Sequence, residues 1–352
     1  MTAEELIFRD PILAKSIEDT WNILGGLARS GKNQWLLAYS GGKDSTLAVV
    51  LTVEFLRRTH NQHIEVDILY ADTRLEIPPI YDNSMRFLCY LQELSAEEDL
   101  PIKAHIVSSE LSQSFWVHLL GKGYPMPGPR FRWCTDRLKV KPMNRKANEL
   151  VKDEKRAVML IAVRNGESRA RDRRLKASCG GQSECGQGLQ LKSSSFVAVY
   201  PILEWRTCKI WDLLLFHAPM WGWPTGSLGR LYGEDERVRF GCWLCSLVKE
   251  DRAMANIIRI SEGDGFMLGA LAAFRELLVT TSRDVANRIT RPDGRAGRLN
   301  LTTRKRLLSE LLGLQEKVST ILISAEEIRM IQDYWNQNHE AREVLYAKSG
   351  KN

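Results

Sequence analysis

No stretch of the chain reaches the roughly 18 consecutive apolar residues that a membrane-spanning helix requires. The opening segment, MTAEELIFRDPILAKSIEDTW, is amphipathic and charged and lacks the apolar core of a secretory signal. A cytoplasmic protein with no membrane association is therefore expected. Internal repeats and low-complexity tracts are missing too. The nearest approach is the Gly-rich SCGGQSECGQG at Ser178–Gly188, which reads as a loop. Absent as well is the G-x-x-x-x-G-K spacing of kinases and ATPases, so no γ-phosphate cradle of that kind is expected. Cysteine is sparse, with seven in 352 residues. In a compartment that keeps thiols reduced this excludes a disulfide framework and leaves metal binding or reactive thiols.

What is present is a globular composition. With 44% hydrophobic residues over 352 positions, the chain can bury a full core as one large domain or a domain with an appendage. A net charge of +7 admits a polyanionic partner without requiring one. Short apolar runs at Trp35–Tyr39, Val66–Tyr70, Lys103–Val107, Val158–Val163 and Phe196–Tyr200 read as strands, and Ser45–Arg58 carries apolar residues at helical spacing. The intervening segments are long enough for crossover helices. That alternation predicts an α/β fold, a doubly wound, mostly parallel sheet covered on both faces. From about Lys249 the strand-like runs fade and amphipathic stretches such as Arg304–Leu312 and Ala325–Trp335 take over. The expected division is 1–248 for the nucleotide domain and 249–352 for a helical C-terminal region, with the Arg-rich RPDGRAGR at Arg291–Arg298 as a loop joining its helices.

Between the first strand and the first periodic helix lies SGGKDS, Ser40 to Ser45. Gly41 and Gly42 let the backbone approach a phosphate, the helix start points its amides and positive dipole end at it, Lys43 adds a point charge, and Ser40 and Ser45 add hydroxyl donors. This segment resembles the PP-loop of the ATP pyrophosphatase superfamily, which implies an adenine nucleotide alpha hydrolase-like fold, ATP and Mg2+ as cofactors, and α,β-bond cleavage with Lys43 and Asp44 in catalytic positions. YADTRLE at Tyr70–Glu76 resembles a segment of the phosphoadenosine phosphosulfate (PAPS) reductase branch, which implies Asp72 beside the nucleotide. VRNGESRARDRR from Val163 resembles that branch's anion-binding segment with Arg164 and Arg171 at the matching positions, which implies ATP binding by Arg164 and acceptor binding by Arg171; Arg169 and Arg173 add further guanidinium forks for the acceptor. PILEWRTCKIWDL at Pro201–Leu213 resembles the segment leading to the substrate lobe.

The sulfur side rests on three cysteines. RFRWCTDRLKVKP at Arg130–Pro142 places five basic residues around Cys134, an environment expected to favour thiolate, with Arg132 and Arg137 as further acceptor contacts. Cys242 and Cys245 form a C-x-x-C inside RFGCWLC, the spacing of a metal-ligand pair or a redox dithiol. Resemblance to adenylyl-sulfate reductases and to cluster-bearing transfer RNA thiolases implies Cys134 as a third ligand, a [4Fe-4S] cluster, and Cys179 or Cys185 as candidates to close it; zinc fits the same donors. Cys89 and Cys208 read as packed thiols. Taken together, RWCT, NGESRAR, RFGCWLC and the helical tail most resemble the DndC/SspD type of DNA phosphorothioation protein. That resemblance implies a sulfurtransferase acting in antiphage defence, with Cys134 as ligand or sulfur carrier, and a cysteine desulfurase, other DNA phosphorothioation proteins and DNA as partners. The stretch Trp221–Phe240 lacks the two further cysteines usual in DndC members. A transfer RNA thiolase is the alternative, and a sulfonucleotide reductase, which needs a cysteine beyond Cys245, the next.

Overall fold

The computed structural model describes residues 10–129, 131–166, 190–192, 197–233, 238, 240–248, 251–260 and 265–349, with 190–192 and 338–349 described for the backbone alone. The chain forms two compact units. The first takes Met1–Ala71, Pro78–Val107 and Met143–Phe240, and the second Asp72–Ile77, Ser108–Pro142 and Gly241–Asn352. Each unit thus draws on three separated stretches of the chain.

The first unit is built on a six-stranded sheet of order β3-β2-β1-β4-β6-β5. Its centre is β1, Gln34–Tyr39, buried everywhere except for partial exposure at Ala38. β2 (Glu65–Asp72) and β4 (Ala157–Leu160) run parallel to β1 on its two sides. The register pairs Gln34 with Glu65 and with Ala157. β3 is Ile102–Ser108. β6 (Val197–Val199) runs parallel to β4, and β5 (Gln190–Lys192) closes the edge antiparallel to β6. Strands covered on both faces read as unbroken apolar runs, as QWLLAY does. Successive side chains point to opposite faces. Trp35 stacks on Phe55 of α2 (Lys43–Thr59) at 6.0 Å, while Leu36 packs with Leu69, Val107, Ala157 and Met159 against Ala147 of α4 (Lys141–Leu150). α2 is buried at every position from Ser45 to Leu56, a helix enclosed on all sides. α1 (Pro11–Arg29) starts at Asp10, whose carboxylate accepts from the Leu13 amide at 3.0 Å.

Several sequence expectations need correcting here. β4 ends at Leu160 rather than Val163, and β5 has no apolar pattern that announces it. Cys89 and Cys208 are exposed. In α3 (Pro78–Glu97) the buried positions are Ile80, Asn83, Ser84, Phe87, Leu88, Leu91 and Leu94, so the helical phase turns Cys89 to solvent.

The second unit gathers α6 (Gly265–Arg283), α7 (Leu301–Val318) and α8 (Ala325–Ser349) around the buried segment Phe115–Leu120. The Trp116 indole donates to Leu322 O at 2.7 Å, the Trp335 indole to Leu120 O at 2.8 Å, and the Arg304 guanidinium to Gly121 O at 2.5 Å. RPDGRAGR is not a plain loop. β7 (Arg288–Thr290) and β8 (Ala296–Leu299) pair antiparallel, and their turn is shaped by Gly294 at φ +77 and by the Asp293 carboxylate accepting from the Arg295 amide at 3.1 Å.

His118 is fully buried in this unit, its ring stacked on Trp133 at 5.3 Å and edge-on to Tyr124 at 5.1 Å. Nδ1 lies 3.0 Å from Ser114 O; a carbonyl only accepts, so Nδ1 carries the proton. Burial pushes the imidazole pKa down to about 4, with Lys122 and Arg137 adding to the shift and the Ser114 carbonyl opposing it. The unfolded chain protonates near 6.5, so this contribution to stability is complete above pH 6.5 and is lost as pH falls toward 4. Urea unfolding should therefore show about 2 kcal/mol less stability at pH 5 than at pH 7.5 from this group, and His118→Phe should flatten that pH dependence.

Candidate active site

The loop from β1 to α2 needs its glycines. Gly41 has φ +73, a conformation that L side chains rarely adopt, and a Cβ there would lie 2.0 Å from Ser84 Oγ. Gly42 provides the extended N-cap of α2 without a side-chain cap, which leaves the first helical amides for an outside acceptor. Ser45 is buried. Its hydroxyl accepts from the Ser40 amide at 3.2 Å and donates to Gly42 O at 2.9 Å. That brace makes Ser45 a shaper of the loop, whereas Ser40 is exposed and keeps its hydroxyl 3.1 Å from that of Ser45.

Two cations flank the helix start, and one carboxylate holds both. Asp44 accepts from Arg164 Nε at 2.5 Å and lies 3.5 Å from Lys43 Nζ. Lys43 and Arg164 are buried, and Arg164 also donates to Thr207 Oγ1 at 3.1 Å. The trio leaves one net positive charge beside the positive end of the α2 dipole, an anion-binding arrangement. Asp44, placed by the sequence in a catalytic role, anchors the two cations. Tyr232, which ends α5 (Gly226–Tyr232), accepts from the Lys43 amide at 3.0 Å. Its ring is held by Trp211 at 4.9 Å and Phe240 at 4.1 Å, with Lys43 Nζ 4.9 Å above it. The phenol thus occupies an amide that a phosphate oxygen would use. Ser84 and Tyr232 carry no motif and were invisible to sequence reasoning, and Thr207 lies in the PILEWRTCKIWDL segment without having been singled out.

In the second unit, Asp72 Oδ1 accepts from the Arg74 amide at 2.7 Å, and Arg74, at φ +62, donates to Ser109 O at 3.0 Å. Asp72 therefore shapes the turn that carries the TRLE segment. Glu76 closes it, accepting from Thr73 Oγ1 at 2.7 Å and from the Thr73 amide at 3.1 Å. It also pairs with Cys242 in an antiparallel bridge, where the Trp243 amide donates to Leu75 O at 2.9 Å.

The thiols reverse the expected polarity. Burial raises the Cys134 pKa above its ordinary value against the local hydrogen bonds of Thr135, so the basic run around it does not make it a thiolate. Cys245 is the thiolate of the C-x-x-C: the hydrogen bond from Cys242 brings its pKa down to about 6, against burial, with help from the Leu247 amide. Cys242, the donor, is pushed well above the ordinary range by that bond and by burial. Buried Arg275 donates to Cys245 O at 2.6 Å and to Val248 O at 2.9 Å, fixing the segment. Cys134 is within electrostatic reach of both. Among the described residues no three His, Cys, Asp or Glu are spaced to hold a metal ion. As arranged, the described donors form a dithiol with a third thiol within electrostatic reach.

Of the acceptor residues, Arg132 is exposed and Arg137 donates to Gln113 Oε1 at 2.9 Å. Arg169, Arg171, Arg173, Cys179 and Cys185 lie outside the described residues.

A family model described as the phosphoadenosine phosphosulfate reductase domain matches residues 34–221. An uncharacterized protein of Methanocaldococcus jannaschii is 24% identical over 217 residues, covering 61% of this chain and 36% of that protein. The chain thus spans about a third of the length of that curated relative. Among solved structures, an FMN adenylyltransferase of Candida glabrata is similar over 65% of this chain and 61% of its own, with TM-score 0.37 and 15% identity. The U34-tRNA thiolase NcsA of Methanococcus maripaludis, solved with its [4Fe-4S] cluster, is similar over 73% and 80%, with TM-score 0.32 and 14% identity.

Two outcomes are expected from this geometry. Gly41→Ala should abolish nucleotide-dependent activity while leaving the fold intact by circular dichroism. Ser84→Ala should not restore it, because the left-handed backbone costs an alanine about 1–2 kcal/mol and Ser84 Cβ stays 3.2 Å away. In reduced, metal-free protein at pH 7, mass spectrometry should find Cys245 alkylated by iodoacetamide ahead of Cys134, and Cys242→Ala should slow Cys245 by roughly fivefold.

Proposed function

The chain belongs to the phosphoadenosine phosphosulfate reductase domain family, and on that premise we propose that it cleaves the α,β bond of ATP at the Ser40–Ser45 loop to activate an acceptor for sulfur transfer, with a DNA backbone phosphate as the acceptor. The observation that carries this reading is the loop itself: a glycine turn that only Gly41 can make, opening onto a helix start flanked by Lys43 and Arg164. ATP enters as its magnesium complex. The leaving pyrophosphate develops charge where the α2 amides and Lys43 can meet it, and fixed donors of this kind stabilise a transition state because they need not reorganise. Tyr232 has to yield the Lys43 amide or share it.

The chemistry balances in three steps. A non-bridging oxygen of the acceptor phosphate attacks the α-phosphorus, the bond to the β-phosphate oxygen breaks, and pyrophosphate leaves. A persulfide on one thiol of the Cys134, Cys242 and Cys245 group then attacks the acceptor phosphorus, and AMP departs with the oxygen. A second thiol attacks the remaining sulfur–sulfur bond, releasing the phosphorothioate and leaving a protein disulfide that a dithiol reductant must reopen. The persulfide sulfur comes from a cysteine desulfurase. Low-pKa Cys245 supports the last attack, since the thiolate is the nucleophile. No step is routed through a cluster.

Lys43→Ala should lower pyrophosphate release from ATP by roughly 10²–10³-fold. With a desulfurase and radiolabelled cysteine, sulfur should appear in DNA as nuclease-resistant phosphorothioate dinucleotides. Label in transfer RNA alone would give the acceptor role to RNA, and no pyrophosphate release by the unaltered protein would refute the ATP reading.

A further inference from the structure

The second unit holds a cavity of about 1190 Å³ that the scheme above does not use. Its walls come from the Pro125–Pro129 segment, the end of α6, the β7–β8 hairpin and Ser246. Side chains build it: the Met126 amide donates to Ser282 Oγ at 3.2 Å, and the Ser246 hydroxyl donates to Pro127 O at 2.7 Å. Four arginines line it, Arg283, Arg288, Arg291 and Arg298, and none of its described lining residues is acidic. Arg288 is spent on the hairpin, donating to Gly297 O at 2.6 Å and Ala296 O at 3.1 Å. The other three are exposed. Arg291 makes only a 3.9 Å approach to Asp293, and the Arg298 guanidinium lies 5.8 Å over the Tyr124 ring. Beside Tyr124, at 5.9 Å between centroids, is Phe131, 49% exposed.

Exposed arginines with aromatic faces and, apart from Asp293 at 3.9 Å from Arg291 beside the lining, no acid in the described walls select a ligand that alternates anions with flat rings. The volume exceeds the ~300–1,000 Å³ of ordinary small-molecule pockets, which suits a strand better than one nucleotide. Rings can stack only on bases that are not stacked on each other. The thiol segments border the same space: Phe131 lies three residues before Cys134 and Ser246 one residue after Cys245.

We propose that this cavity seats a single-stranded segment of the polynucleotide acceptor, with phosphates on Arg291, Arg298 and Arg283 and bases against Phe131 and Tyr124. The assignment rests on the reading of the protein as a nucleic-acid sulfurtransferase and adds where the strand is held: beside the thiols. The seat is open to a bent or unwound strand and has no groove-reading helix, so the intact duplex is the poorer ligand.

The test is fluorescence anisotropy with a short fluorescein-labelled oligonucleotide, as single-stranded DNA, as the same sequence in duplex, and as RNA, across a salt series. The unaltered protein should bind single strands more tightly than duplex. Arg291→Ala with Arg298→Ala should lower the salt slope by about 1.4, at ~0.7 per phosphate contact. Phe131→Ala should weaken binding roughly tenfold at unchanged slope, as loss of one stacked base does, and Phe131→Trp should restore it. All these positions are at the surface, and circular dichroism checks the fold. Tighter binding of RNA supports the cavity and moves the acceptor to RNA. Preference for duplex, or variants that bind as the parent does, overturns the proposal. Pyrophosphate release is read separately: its absence ends the ATP reading and leaves a positive binding result standing, while release without strand binding ends the cavity assignment alone.

Discussion

The carboxylate of Asp44, held between Lys43 and Arg164, is the contact on which the nucleotide loop depends. Two buried cations at the positive end of a helix repel one another and would be costly without a counter-charge. Asp44 makes their burial tolerable, yet one carboxylate cannot neutralise two cations, so a net positive charge persists where amides already point outward. The remaining charge is what an entering triphosphate can satisfy. Arg164 reaches this place from the loop after β4 and is held there by Thr207, so the arrangement ties the sheet centre to a later segment of the same unit.

A second constraint orders the thiols. In the C-x-x-C, the hydrogen bond runs from Cys242 to Cys245, which lowers the Cys245 pKa and raises that of Cys242. The bridge from Glu76 and the Arg275 bonds to the carbonyls of Cys245 and Val248 hold that segment from both sides. Cys134 stays protonated because removing its thiol from water outweighs the local hydrogen bonds of Thr135, while Arg132 and Lys141 of the basic run are exposed to solvent. Charges in water act weakly across a few ångströms, and desolvation acts at full strength.

The first unit carries the glycine loop with Lys43 and Arg164, and the second the thiols and a basic, aromatic-lined cavity. On the proposed sulfur-transfer reading, the first set of groups suits activation of a phosphate and the second suits handling of sulfur, since a persulfide is readily lost to stray thiols and an activated phosphate to water.

The β1–loop–α2 core was legible in the residues because strand and helix periods are local properties, and two adjacent glycines before a lysine admit few backbone paths. The parallel sheet followed from apolar runs alternating with helical segments. β5 and the β7–β8 hairpin were not legible, since three or four residues carry no period; nor was the exposure of Cys89, which depends on where the helix turns its faces. At the site, SGGKDS and C-x-x-C were visible as motifs, but Tyr232 meets Lys43 across 189 positions and Arg164 meets Asp44 across 120. Sequence alone determined which functional groups the protein possesses and the local turns that present them. Only the tertiary structure decided which cysteine has the lower pKa, which carboxylate anchors the two cations and which phenol takes the Lys43 amide, because desolvation and long-range hydrogen bonds exist only once distant segments have packed.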